Sequence, residues 1–233
     1  MIHSANYTIN MLATTLINPM IPALKLTDQV STALDWMDEF RTSQLIVAES
    51  GLYKGIVSQD ILFDIHDTSE TLSRVIIQHE DIYALEDQHP YELLRLVTEF
   101  GLTIIPVVRD GKILTGSILL NDLVEQFVNE LGVQEKGAVL VLKVAERDYS
   151  LSEISRLIES NGTKILSSYY SSSESSHLLQ ESRLTLKLNR THITPIIATL
   201  ERFGYDILEA HANDPIETLD QERLDMLLRY LAT

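Results

Sequence analysis

Two stretches decide the fold: GIVSQD at Gly55–Asp60 and GSILLND at Gly116–Asp122. Each sets a glycine before a short apolar run that ends on a carboxylate. Taken singly, either reads as a buried strand turning into a helix, with polar side chains capping the helix start. Side by side they read as two copies of one unit, and the matching continues in both directions along the chain.

LTDQ at Leu26–Gln29 matches LEDQ at Leu85–Gln88. Leu34, Met37 and Phe40 match Leu94, Val97 and Phe100, and Leu45 and Val47 match Ile105 and Val107. The separation drifts from 59 (Leu26 to Leu85) through 60 (Gly51 to Gly111) to 61 (Gly55 to Gly116), which needs two single-residue slips. In each copy a short extended segment (Ala23–Leu26; Ile82–Leu85) leads to a helix cap at Asp28 or Asp87. The helix carries Ala33, Met37 and Phe40, or Leu93, Val97 and Phe100, on one face. Two strands follow, joined by turns at Glu49-Ser50-Gly51 and Arg109-Asp110-Gly111, and a second helix starts near Gln59 or Asn121. One β-α-β-β-α unit leaves a sheet face bare, and two related units cover it for each other.

This doubled β-α-β-β-α unit of about 60 residues, with its glycine–apolar–apolar–Ser/Thr…Asp ending, resembles a tandem cystathionine-β-synthase-type (CBS) module. The likeness runs from Thr15 to about Leu131. It places an N-terminal extension at 1–14 and a CBS pair at 15–132, with repeats at about 15–75 and 76–132. The resemblance implies that an adenosine-type ligand (AMP, ADP, ATP or S-adenosylmethionine) binds between the repeats, a hydroxyl meeting its phosphate and a carboxylate its ribose. Carried over, Ser58 and Asp60 are the nucleotide-binding candidates of the first repeat and Asp122 that of the second, where Leu119 replaces the hydroxyl. The family's six-residue step from glycine to aspartate is kept by Gly116–Asp122, whereas Gly55–Asp60 is one shorter. The expectation is at most one strong site, in the first repeat. A plain capping role for Ser58 and Asp60 stands beside it.

The pattern restarts after Gly132. Strands are expected at AVLVLKV (Ala138–Val144), KILSSYY (Lys164–Tyr170), RLTLKLN (Arg183–Asn189) and YDILEA (Tyr205–Ala210). A first helix begins on a Ser150/Glu153 capping box, buries Leu151, Ile154, Leu157 and Ile158, and ends at Asn161-Gly162. A second is capped by Thr191, carries Pro195 in its first turn, buries Ile196, Ile197, Leu200 and Phe203, and stops at Gly204. The serine-rich SSYYSSSESS (Ser167–Ser176) reads as a flexible hairpin loop. The resulting β-α-β-β-α-β order over 137–211 resembles the ferredoxin-like ACT fold, and a docking helix is expected within 214–233. The fold class is therefore α+β throughout. The turn ERDYS (Glu146–Ser150) lacks the glycine that would bring backbone up to an amino-acid ligand, which favours a dimerisation role for this half.

The 233 residues carry Lys+Arg 18 against Asp+Glu 34, a formal charge of −16. So acidic a chain repels nucleic acid and anionic lipid. With no cysteine, disulfides, thiolate metal sites and cysteine nucleophiles are excluded. The seven histidines show no i,i+4 metal spacing, no phosphate-loop motif occurs, and FDIHD (Phe63–Asp67) reads as a solvated helix end. No apolar run is long enough to span a membrane, and the opening stretch lacks a basic segment followed by an apolar one. The expectation is a non-catalytic cytoplasmic regulator without cofactor or metal. It would be a homodimer that senses an adenosine-type metabolite and signals to an unknown protein partner. The layout resembles acetoin-utilisation-type CBS–ACT proteins. The alternative is a ligand-free structural or protein-interaction module that dimerises through both halves.

Overall fold

A computed structural model describes residues 12–145, 149–172 and 182–212. The chain is mixed α and β with two sheets, and divides into two compact units, Met1–Gln126 and Phe127–Thr233. Among the described residues no helix is long and apolar enough to cross a membrane.

In the first unit the first repeat contributes α1 (Val30–Phe40), β1 (Gln44–Glu49), β2 (Leu52–Ser58) and α2 (Gln59–Phe63). The second contributes β3 (Ala84–Leu85), α3 (Pro90–Phe100), β4 (Ile104–Arg109), β5 (Ile113–Leu119) and the start of α4 (Leu120–Glu130), a helix that continues past the unit's last residue, Gln126. Five strands form one sheet in the order β1-β2-β5-β4-β3. The two hairpins meet where Leu52 pairs with Ile113. Both faces of β1 and β4 are buried: Leu45, Ile46 and Val47 of β1 and Ile104, Ile105 and Val107 of β4 are at most 1% exposed, as are Ala33 and Met37 of α1 and Leu93 of α3. Each large apolar side chain so buried contributes about 1.5–3 kcal/mol.

The pairing fixes how the repeats correspond. Leu24 bridges Val47 in parallel, and Ala84 bridges Val107 in parallel, a separation of 60 in both cases. Each hairpin bulges one position further on, after Val47 and after Val107. The separation is thus 60 from Leu24 onward, so the first of the two expected slips is absent. The remaining slip has a definite origin. The first hairpin closes on two residues, Ser50 (φ 52°) and Gly51 (φ 78°), between paired Glu49 and Leu52. The second closes on three, Asp110 to Lys112, between paired Arg109 and Ile113. Lys112 is the extra residue.

This register corrects the capping assignments. The residues before α1 and α3 are Gln29 and His89, not Asp28 and Asp87. Asp28 is drawn off because its Oδ2 accepts from the Lys25 amide (2.7 Å), closing the turn ahead of α1. Gln88 Oε1 does the same for the Leu85 amide (2.9 Å). The first amides of α1, from Val30 and Ser31, donate to the carbonyls of Glu70 and Thr68. Backbone from 68–70 thus does the work of a side-chain cap.

The second unit follows the expected order: β6 (Val139–Val144), α5 (Leu151–Glu159), β7 (Ile165–Ser172), β8 (Ser182–Leu188), α6 (Thr194–Arg202), β9 (Asp206–His211). The antiparallel sheet runs β7-β8-β6-β9, the arrangement of a ferredoxin-like sandwich. Leu140, Leu142, Leu184 and Leu186 bury against Ile154, Leu157, Ile196 and Leu200 of the two helices. Ser150 caps α5 by accepting from the Glu153 amide (3.3 Å), while the Glu153 carboxylate accepts from the Tyr205 hydroxyl (3.1 Å). Ser167–Ser172 of the serine-rich stretch, expected as loop, pair with β8 as the second part of β7. Two further details differ from expectation. α6 is preceded by Ile193 rather than capped by Thr191, and Phe203, just past its last turn, is 49% exposed instead of buried. The 214–233 helix, residues 146–148 of the glycine-free turn and residues 173–176 of the serine loop lie outside the described residues.

Candidate functional site: two clefts of unequal openness

The lead-in to each repeat crosses to the other. Residues 13–14 precede the first repeat, but the Ala13 and Thr14 amides donate to Gln88 and Glu86 of the second. Residues 72–73 precede the second, but the Leu72 and Ser73 amides donate to Asp28 and Leu26 of the first. Further along, the Asn18 amide donates to the Ser117 carbonyl on β5 (2.8 Å). Gln78 exchanges two backbone bonds with Ile56 on β2 (2.7 and 2.8 Å). Each crossing backbone lies over a glycine: a methyl group on Gly116 would collide with the Ile17 side chain, and one on Gly55 with the Gln78 carbonyl. Two pseudo-symmetric clefts result, one over β5 and one over β2.

The cleft over β5 holds a cavity of about 330 Å³ with Asn18, Pro22, Ile46, Leu114, Thr115 and Ser117 in its wall. Asn18 organises the edge. Its Oδ1 accepts from the Met20 amide (3.1 Å), and its Nδ2 donates to Asp122 Oδ2 (3.0 Å). Asp122 sits on the first turn of α4 and is half-buried. A carboxylate offers about four acceptor positions, so after one bond from Asn18 it retains capacity for hydroxyl donors. The Thr115 hydroxyl donates to the Val107 carbonyl (3.0 Å).

The cleft over β2 is filled from within. Tyr53 is 3% exposed, and its hydroxyl lies 2.7 Å from the His79 carbonyl and 3.0 Å from that of Ile82. Its ring meets Tyr83 edge-on. Burial pushes the Tyr53 phenol well above its ordinary pKa, and the Asp81 and Glu80 carboxylates push it further. From the β4–β5 turn, Lys112 Nζ donates to Asp81 Oδ1 (2.6 Å) and to the Glu80 carbonyl (3.0 Å).

The expected site residues divide between these clefts. Asp122 lies at the edge of the open one. Ser58 and Asp60 lie at the end of β2 and the start of α2, where Ser58 is half-buried without a side-chain capping bond and Asp60 is exposed. β2 and β5 end at corresponding residues, Ser58 and Leu119, so Asp60 is the second residue of its helix and Asp122 the third of its own. One residue is about 100° of helix rotation, which aims the two carboxylates in different directions. Leu119 lines a smaller hollow of about 260 Å³ with Arg41, Thr42, Ser43 and Thr103. Asp64, His66 and Asp67 of FDIHD are exposed, and Ser69 donates to Asp67 through both amide and hydroxyl. Asn18, Tyr53 and Lys112 were not singled out from sequence, although aligning the repeats sets Tyr53 opposite Leu114 and exposes Lys112 as the odd residue.

No family model matches the chain. Solved structures do. The chain is similar to CBS domain pair proteins. A CBS domain pair/ACT domain protein from Thermotoga maritima is 24% identical over 52% of this chain and 99% of its own, with a TM-score of 0.46. A putative acetoin utilization protein from Vibrio cholerae is 19% identical over 53% and 94%, with a TM-score of 0.45. CBSX2, solved in complex with AMP, is 16% identical over 51% and 96%, with a TM-score of 0.44.

Proposed function

We propose that the first unit is a regulatory CBS pair that binds an adenosine-type nucleotide, without catalysis, in the cleft over β5. The open cleft of about 330 Å³ beside the Asn18–Asp122 pair carries this reading. Its apolar side chains, Pro22, Ile46 and Leu114 among them, suit the faces of a base, and Asp122 suits ribose hydroxyls. The sequence ranked Ser58 and Asp60 first. The exposure of Asp60 and the filling of its cleft favour Asp122 instead. The second unit is an ACT-like dimerisation domain, and the working form is a homodimer that passes the ligand's effect to a protein partner. A ligand achieves this only by preferring one arrangement of the protein.

Thermal unfolding with millimolar AMP, ADP, ATP or S-adenosylmethionine tests the reading. A ligand at one hundred times its Kd adds about 2.7 kcal/mol. Asp122→Ala should abolish the shift and Asp60→Ala should keep it. No shift with any of the four overturns the nucleotide reading and favours a ligand-free interaction module, which Leu119 in place of the hydroxyl also fits. Light scattering should return twice the 26.4 kDa chain mass.

A further inference from the structure

The two clefts descend from one repeated unit, yet their entrances differ in two ways that the register defines, one at a corresponding position and one at an inserted residue. Tyr53 on β2 corresponds to Leu114 on β5, a separation of 61. Leu114 lines an open cavity, whereas Tyr53 is buried with its hydroxyl on two carbonyls of the crossing segment. Lys112 belongs to the three-residue turn and has no counterpart in the two-residue turn Ser50-Gly51. It is also the residue that reaches Glu80 and Asp81 of that same segment.

We propose that Tyr53 and Lys112 hold the cleft over β2 shut, so that each chain takes one nucleotide, not two. This rests on the nucleotide reading above. Tyr53 is the inner plug. An aromatic ring occupies the volume that a base would need, and its single hydroxyl hydrogen is shared between the His79 and Ile82 carbonyls, tying the crossing segment to β2. Lys112 is the outer latch. Its ion pair with Asp81 is exposed, so it is weak and salt-sensitive. The plug therefore supplies most of the closure. The carboxylate follows the same asymmetry: Ile61, not Asp60, corresponds to Asp122.

Two measurements on the full chain test the closure. Amide exchange reads it without nucleotide. Tyr53→Leu should speed exchange at Gln78 and Ile82 about tenfold, the loss of one net hydrogen bond, and leave Asn18 unchanged. Lys112→Ala should produce a smaller rise at Ile82. Equal exchange in wild type and Tyr53→Leu overturns the plug. Calorimetric titration with AMP, ADP, ATP and S-adenosylmethionine in turn reads the stoichiometry. Wild type should bind one per chain, and Tyr53→Leu combined with Ile61→Asp, which rebuilds the first cleft on the pattern of the second, should bind two. Two sites in wild type overturn the proposal, as does a folded double variant that still binds one. No binding by wild type overturns the nucleotide reading instead, and the exchange result then decides whether the cleft is shut.

Discussion

Gly55 and Gly116 hold corresponding places, yet a methyl group meets different neighbours at each. At Gly55 the backbone has φ 137°, and a Cβ would run into the Gln78 carbonyl. Neither the strain nor a backbone atom yields easily, so Gly55→Ala should cost about 2–4 kcal/mol. At Gly116 the obstacle is the Ile17 side chain, which can turn aside. Gly116→Ala should cost about 1 kcal/mol, and urea unfolding midpoints compare the two. Tyr53 gives the residue scale a pH dependence. Its phenol is raised in the folded state by burial first, then by Asp81 and Glu80. A raised group contributes stability that is present below its unfolded pKa of about 10 and lost as pH rises past it. Urea midpoints should therefore fall above pH about 10, and Tyr53→Phe should flatten that fall. The slope it leaves belongs in part to Tyr205, raised by its own burial and the Glu153 bond. At neutral pH the same variant should cost about 1–2 kcal/mol, because the hydroxyl no longer serves the His79 and Ile82 carbonyls.

Helix starts show how differently a sequence signal performs from one element to the next. Ser150 precedes α5 and accepts from Glu153, so Ser150→Ala should cost about 1 kcal/mol. Thr191 carries the same signal ahead of α6, but the helix begins after Ile193, so Thr191→Ala should stay within about 0.5 kcal/mol. Denaturation of both variants decides between them, and equal costs would contradict the boundary. The doubled helices, hairpins and strand faces were legible because apolar spacing reports burial directly: Met37, Leu45, Val47, Leu93 and Ile105 all lie in the core. The cap at Asp28 fails because the competing acceptors, the Glu70 and Thr68 carbonyls, come from about forty residues further on, and the one at Asp87 fails because the His89 side chain accepts from the Tyr91 amide instead. Asp122 and Asp60 were visible as residue types, but their relative aim depends on where β2 and β5 end. Both strands end three residues past their glycines, so the difference in aim comes from the one-residue-shorter step from Gly55 to Asp60. Asn18 escaped notice because its partner Asp122 lies 104 residues away.

The charge of the whole molecule bears on how a nucleotide reaches it. At −16 the protein repels anions, and none of the residues lining the cleft over β5 is Lys or Arg. Affinity there would rest on the base, the ribose and Asp122, with the phosphates left near solvent. The field then acts on encounter more than on the bound state. Screening shortens its reach, from about 30 Å at 0.01 M salt to about 8 Å at physiological ionic strength. Raising salt from about 20 to 300 mM should therefore speed ATP association severalfold by weakening repulsion. Adenosine, which has no charge, should associate at an unchanged rate. Stopped-flow measurement of both compounds separates the general field from a local one. If ATP association slows with salt instead, cations outside the cleft wall must be drawing the phosphates in. Arg41, beside the hollow at Leu119, is then the first residue to replace.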